Sequence, residues 1–245
     1  MTADEDARPF AVVTGASRGL GRVLARFLAG EGYDLLLVAE HPRGLRETAD
    51  ELGAYRILAE YVAGDIAAAA VRSAVRAKVM GRGRLDLLVN NAATLGVTPL
   101  PGLETYPLDR LEMIFRVNVL APLALVQELL PALEHAQGLV VNLSSDAARG
   151  GYPGWGGYGA SKAALDLISL TLAHELAARK VAVLSVDPGD MRTPGVERAL
   201  ADDDLSGRPP PEVTLPFWAW LLHQDRSRVS GHRFEAQSER WEVPA

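Results

Sequence analysis

Short apolar runs with no polar alternation recur along this chain, each followed by a stretch whose apolar residues repeat at helical spacing. No other feature of the sequence restricts its fold as much. Phe10 to Val13 closes on a glycine-rich turn and leads into Val23, Leu24, Ala25, Phe27 and Leu28, one face of a helix. The pattern predicts a strand over Asp34 to Val38, a helix from Arg43 to Leu52 and a strand near Arg56 to Tyr61. It goes on to predict a helix from Ala69 to Met80, a strand over Leu85 to Val89, and a helix from Leu108 to Leu133 interrupted at Pro122. Two more strands, Leu139 to Leu143 and Val181 to Val186, flank a long helix from Tyr158 to Arg179. Strands that are apolar at every position are buried on both faces, which requires a parallel sheet with helices on each side. The expected fold class is therefore α/β, a doubly wound, Rossmann-like parallel sheet.

The chain has 245 residues, no repeat of fixed period and no low-complexity linker. We expect a flexible N-terminal segment over residues 1–8 and a single domain over 9–245. A net charge of −6, with arginines scattered among acids, gives no basic field for a phosphate backbone, so no nucleic-acid partner is expected. No stretch approaches the ~18 apolar residues of a membrane span. The acidic start Thr2-Ala3-Asp4-Glu5-Asp6 is unlike a signal peptide, so no membrane partner and a cytoplasmic location are expected. The chain has no cysteine, which excludes disulfides, thiolate metal sites and a cysteine nucleophile. His174-Glu175 lacks the second histidine of a zinc helix, and no metal is expected.

Thr14-Gly15-Ala16-Ser17-Arg18-Gly19-Leu20-Gly21 joins the first strand to the first helix. Free backbone N–H groups and the helix dipole favour a pyrophosphate there. The spacing Gly-x-x-x-Gly-x-Gly differs from the generic dinucleotide fingerprint, but its placement is right. A remote alternative lies inside the same residues: Gly15-Ala16-Ser17-Arg18-Gly19 also fits the nucleophile elbow of serine hydrolases, with Ser17 as nucleophile and only His223 or His232 as a late base.

Tyr158-Gly159-Ala160-Ser161-Lys162 opens the long helix, and a spacing of four puts the phenol and the ammonium on one face. A tyrosine titrates near pH 10 when free, and a fixed cation beside it stabilises the phenolate. Of 25 basic residues only Lys78, Lys162 and Lys180 are lysines, so a compact ammonium is kept at this position.

Thr14 to Gly21, Asn90-Asn91-Ala92, Tyr158 to Lys162 and Pro188-Gly189 together resemble the short-chain dehydrogenase/reductase family over nearly the whole chain. The resemblance implies hydride transfer between a nicotinamide cofactor and a carbonyl or secondary alcohol. Tyr158 would be the acid/base, Ser145 its partner on the substrate oxygen, Lys162 the anchor of ribose, and Asn118 the holder of a water in a proton relay to lysine. Cofactor contacts are implied for Gly15, Ser17, Arg18, Gly19, Leu20, Gly21, Glu40, Asp65, Ile66, Asn91, Ala92, Tyr158, Lys162, Pro188, Gly189, Met191 and Thr193. Arg18 could pair with a 2′-phosphate, whereas Glu40 would repel it or accept from a ribose hydroxyl. The cofactor is NADP(H) or NAD(H), with a lean to NADP(H).

The expected partner is a small carbonyl or alcohol, held by Gly151 to Gly157 and by the loop from Met191 to Pro216. Trp155, Trp218 and Trp220 suggest an apolar guest, or equally a core. Homo-oligomerisation as a dimer or tetramer is expected through the helices around Leu108 to Leu133 and Tyr158 to Arg179. Two departures stand out: Ala93 where the family has glycine, and an ending, Gly231-His232-Arg233-Phe234-Glu235-Ala236, without the usual glycine-rich close. A catalytically silent, cofactor-sensing or scaffold protein on the same fold is the alternative from another class.

Overall fold

The computed structural model describes residues 8–199 and 204–243. Nearly all of the N-terminal segment expected to be flexible lies outside the described residues. In chain order the regular elements are β1 (Phe10–Thr14), α1 (Gly19–Gly30), β2 (Asp34–Ala39), α2 (Pro42–Leu52), β3 (Ala59–Ala63), α3 (Ala69–Arg82) and β4 (Leu87–Asn90). They continue with α4 (Leu108–Phe115), α5 (Ala121–Ala136), β5 (Leu139–Leu143), α6 (Ala147–Gly150), α7 (Gly156–Leu176) and β6 (Ala182–Asp187). Last come α8 (Pro194–Ala199), α9 (Leu215–Leu222), α10 (Arg226–Val229) and β7 (Arg233–Glu235).

The seven strands form one sheet in the order β3-β2-β1-β4-β5-β6-β7, parallel at every pairing. This is the doubly wound arrangement expected from the sequence. Alternate strand residues feed two separate cores. Ala11, Val13, Leu35, Leu37, Leu87 and Val89 face one side with α1, whereas Phe10, Val12, Leu36, Val38 and Leu88 face the other with α3 and α5. Because both faces are covered, both sets are apolar, and this is why the strands read as unbroken runs. The chain order reverses between β1 and β4, which opens a crevice at the carboxyl ends of the strands.

Three expectations need correction, and one strand was not anticipated. The strand expected near Arg56 to Tyr61 is β3, displaced to Ala59–Ala63 at the sheet edge, where weak burial left its register undefined in the sequence. Pro122 breaks no helix. A π turn over Arg116–Leu120 carries α4 on into α5, and this wider turn accommodates Pro122 within a continuous helical run. The resulting helical run, Leu108–Ala136, is long and apolar enough to cross a membrane by length and composition, contrary to the statement that no stretch approaches one. In the fold one side of the run, with Ile114, Leu125, Leu129 and Leu133, is buried in the core, whereas Leu108 and Leu120 are exposed. Finally, the ending without a glycine-rich close forms a seventh strand, too short for a recognisable pattern of alternation.

Candidate active site

The crevice at the strand ends is a cleft of about 540 Å³. Leu20 and Asn91 line one end, Ser145, Tyr158 and Lys162 the middle, and Pro188 to Met191 with Thr193 the other wall. Residues far apart in sequence meet here because each follows a parallel strand or opens the helix after it.

The glycine turn is built by close backbone approach. A Cβ on Gly21 would lie 2.4 Å from the Gly15 carbonyl oxygen, so only glycine lets α1 begin against β1. Thr193 and Pro194 stand opposite, their nearest atoms 3.6 Å and 3.7 Å from where a Gly19 Cβ would be. Thr14 fixes the neighbouring strand end: its hydroxyl accepts from the N–H groups of Asn91 (3.0 Å) and Ala92 (2.9 Å), and the Asn91 amide donates to Thr14 O (2.8 Å). Ser17 is buried, while Arg18 and Glu40 are exposed at the carboxyl ends of β1 and β2. Asp65 follows β3, but its carboxylate accepts from Ala67 N (2.8 Å) and lines a separate groove with Asp109 and Arg116; Ile66 points into the core. Of the implied cofactor residues, Leu20, Asn91, Tyr158, Lys162, Pro188, Gly189, Met191 and Thr193 line the main cleft, whereas Asp65, Ile66, Glu40, Ala92 and the rest of the glycine turn do not.

Tyr158 and Lys162 lie on the inward face of α7. Gly159 makes this possible, because a Cβ there would sit 2.4 Å from Ala147 O on the segment carrying Ser145. The Lys162 ammonium lies 5.5 Å from the Tyr158 ring centroid and donates to Leu143 O at the end of β5 (2.6 Å). Burial drives Lys162 down to about 8, against the pull of Asp166 and Asp187. Tyr158 is shifted upward, first by burial and then by the carboxylates of Asp187 and Asp146, with a hydrogen bond to Ser145 opposing. The sequence pattern alone suggested a phenol lowered by its lysine. In the folded chain, desolvation outweighs that effect.

Ser145 donates to Asp146 Oδ1 (3.0 Å) and accepts from Ala147 N (3.1 Å). Its neighbour Ser144 is buried and donates instead to Asp166 Oδ2 (2.8 Å). Asn118 sits fully buried in the π turn, accepting from Thr94 N (2.8 Å) and donating to Thr94 O (3.0 Å) and Ser161 Oγ (3.0 Å). Ser161 in turn donates to Tyr158 O (2.6 Å). Asn118 thus braces the loop after β4 against the helix turn that presents Tyr158.

Of the expected substrate-lining segments, Tyr152 and Trp155 line the cleft from one side and Met191, Val196 and Arg208 from the other. Trp218 and Trp220 do not. They join Phe217, Phe234 and Trp241 in an aromatic cluster beneath the sheet. Among the described residues no histidine lines the cleft; His223 is exposed with its ring bonded to Ala219 O, and His232 stacks on Phe234. Sequence reasoning passed over Asp146, Asp166 and Asp187. Asp166 was detectable, since it continues the four-residue spacing of Tyr158 and Lys162 along one helix face.

The sequence profile of the short chain dehydrogenase family matches residues 9–204. The chain belongs to the short chain dehydrogenase family. Its relatives in that family include an uncharacterized oxidoreductase of Methylorubrum extorquens, 36% identical over 92% of this chain and 95% of that protein. Another is a rhamnolipids biosynthesis 3-oxoacyl-[acyl-carrier-protein] reductase of Pseudomonas aeruginosa, 34% identical over 86% of this chain and 82% of that one. A short chain dehydrogenase of Shigella flexneri, solved in complex with NADP, superposes with a TM-score of 0.87 at 28% identity, covering 94% of this chain and 97% of its own. This short chain dehydrogenase is accordingly an oxidoreductase.

Proposed function

We propose that the protein is an NADP(H)-dependent carbonyl reductase in which Tyr158 delivers the proton to the substrate oxygen. The reading rests above all on one observation: Ser145, Tyr158 and Lys162 converge in the cleft that the glycine turn and the Pro188 to Thr193 wall enclose. When bound along that cleft, the nicotinamide cofactor supplies or accepts the hydride. Gly15, Ser17, Gly19, Leu20 and Gly21 form the pyrophosphate cradle, Asn91 and Ala92 lie along the adjoining strand end, and Pro188, Gly189, Met191 and Thr193 close the nicotinamide end. Gly19, at positive φ and without a side chain to stand against Thr193, leaves the backbone of the turn open to such a ligand. Asp65, in its own groove after β3, would lie toward the adenine end, with Ile66 packed beneath it in the core.

The chain's own residues handle the proton. Burial and two carboxylates hold the Tyr158 phenol in its protonated form at neutral pH, the form that gives a proton to the substrate oxygen when a carbonyl is reduced. Ser145 shares the substrate oxygen with it. Lys162 holds a positive charge beside the ring and the ribose, and the site pre-positions these groups instead of forming a covalent bond to substrate. Asn118 keeps the Tyr158 turn in place. The apolar side chains of Tyr152, Trp155, Met191 and Val196 suit a hydrophobic small-molecule carbonyl.

Arg18, exposed at the start of α1, supports the lean to NADP(H), with Glu40 opposing it from the end of β2. Titration with NADPH and NADH, followed by cofactor fluorescence and a carbonyl screen, tests the reading. NADPH is expected to bind more tightly, with Arg18→Ala reducing the preference roughly tenfold. Binding of neither cofactor would end the proposal. Exposed leucines on neighbouring helices further support a homo-oligomer, dimer or tetramer.

A further inference from the structure

Arg233 lies in the departure from the family's C-terminal pattern, in a strand too short to be seen in sequence, yet it is the most heavily engaged arginine near the site. Its side chain is only 8% exposed. Nε donates to Asp166 Oδ2 (3.1 Å), and Nη2 donates both to Asp187 Oδ2 (2.9 Å) and to the backbone oxygen of Ser145 (3.0 Å). Asp166 Oδ2 also takes the Ser144 hydroxyl. One guanidinium therefore ties together the ends of β5, β6 and β7 and the second turn of α7 beyond Tyr158. A lysine could not reproduce this, since it lacks the planar fork that serves three acceptors at once.

We infer that Arg233 is a positioning residue of the reductase site, reaching from the last strand to fix the Ser145 backbone and to hold the carboxylates of Asp166 and Asp187 in place behind Lys162. The inference rests on the proposed roles of Ser145 and Lys162. Lys162 is faced by Asp166 and Tyr158 on its own helix, by Asp187 from β6 and by the Leu143 carbonyl from β5. Arg233 is faced by Asp166, Asp187 and the exposed Glu235, and Asp187 by Arg233 and more weakly by Asp146. Burial lifts the Asp187 carboxyl, while the Gly189 N–H and Arg233 hold it down. Removing Arg233 leaves two partly buried carboxylates without their cation and frees the Ser145 carbonyl. Removing the charge of Asp166 takes from Lys162 an anion that keeps its ammonium charged.

Two readouts test this. In steady-state reduction, Arg233→Met is expected to lower kcat roughly 10- to 100-fold through misplacement of Ser145. Its acid limb should move to higher pH as Asp187 loses its cation, with cofactor affinity held within about threefold. Arg233→Lys, which retains the charge but not the fork, should restore the acid limb while kcat stays low. The second readout needs neither cofactor nor turnover. The chain has three lysines, so protein carrying 13C-labelled lysine gives three resonances, assigned with Lys78→Arg and Lys180→Arg. Lys162 is expected to titrate near 8 in the native protein and about one unit lower in Asp166→Asn. Wild-type kcat and pH profile in a folded Arg233→Met protein would overturn the inference. If that variant fails to fold, Arg233→Lys decides: a lowered kcat with the acid limb in its native place supports the inference, and a native kcat overturns it. Failure of the reductase reading itself would appear separately, as a native protein without cofactor binding or turnover.

Discussion

The pair Tyr158 and Lys162 carries opposite responses to the same burial: the acid is made harder to ionise and the base easier to neutralise. Two predictions follow from that contrast. Tyr158→Phe removes one oxygen and leaves the ring against Trp155, so the variant should fold and bind cofactor within about threefold of the native protein. Its kcat should fall at least roughly 10²- to 10⁴-fold, the range for loss of a general acid. Retention of a tenth or more of the native rate would remove Tyr158 from its proposed role. The lysine predicts a pH dependence of stability. Below about pH 8 Lys162 is charged in both folded and unfolded chains, and the fold bears the full cost of burying it. Between about 8 and the unfolded value near 10.4, the unfolded chain still holds a proton that the folded chain has released, so stability rises with pH. The rise is bounded by about 3 kcal/mol. Urea unfolding of native protein and Lys162→Met at pH 7 and pH 10 should show the native curve gaining on the variant. Parallel curves would mean that Lys162 is not depressed. Over the same window the reduction rate should fall, because the ammonium that steadies the site is lost.

At the level of elements, the run from α4 to α5 shows how a local irregularity places a functional group. A regular helix would pass the same sequence without a wide turn; the π turn at Arg116–Leu120 turns Asn118 fully inward, to bonds with Thr94 and Ser161. Asn118→Ala leaves the partly buried Thr94 N–H and C=O without that partner, for an expected cost of about 1–3 kcal/mol. It also frees the turn that presents Tyr158. Thermal unfolding together with kcat should report both losses, and a variant of native stability and rate would show the brace to be dispensable. Much of this scale was legible in the sequence. The continuous apolar runs gave β1, β2, β4, β5 and β6 within a residue or two, because residues buried on both faces have no polar alternation to confuse the pattern. The glycine turn and the Tyr158–Lys162 spacing were legible because both are local. Three things were not. The π turn has no period of its own, and the presence of Pro122 suggested a break instead. β3 lies at an edge, where burial is too weak to fix its limits. Arg233, Asp166 and Asp187 form a network across 46 and 67 residues of separation, and no local spacing encodes such a meeting.

On the scale of the whole molecule, the chain closes its sheet with an aromatic cluster and leaves a different apolar surface uncovered. Phe217, Trp218, Trp220, Phe234 and Trp241 pack together, with ring centroids 5.4–5.9 Å apart in the contacting pairs. They spend the apolar surface of α9 and β7 inside the monomer. The outer surface of α7 and the π turn beside it does the opposite: Leu167 is 65% exposed, Leu170 41% and Leu120 54%. These leucines lie on the side of α7 away from Lys162 and Ser161, both buried, so an interface there would stiffen the catalytic helix from behind without entering the cleft. Self-association through this face would also give a use to the exposed Leu120 of the apolar Leu108–Ala136 run, whose inner side serves the core. Sedimentation velocity at micromolar concentration should give a dimer or tetramer. The double variant Leu167→Glu/Leu170→Glu should sediment as a monomer, since two carboxylates buried without partners cost several kcal/mol across a symmetric contact. A native protein that stays monomeric at roughly 50 μM, well above the ~1 μM Kd that corresponds to about 8 kcal/mol of association energy, would show that these leucines serve no dimer.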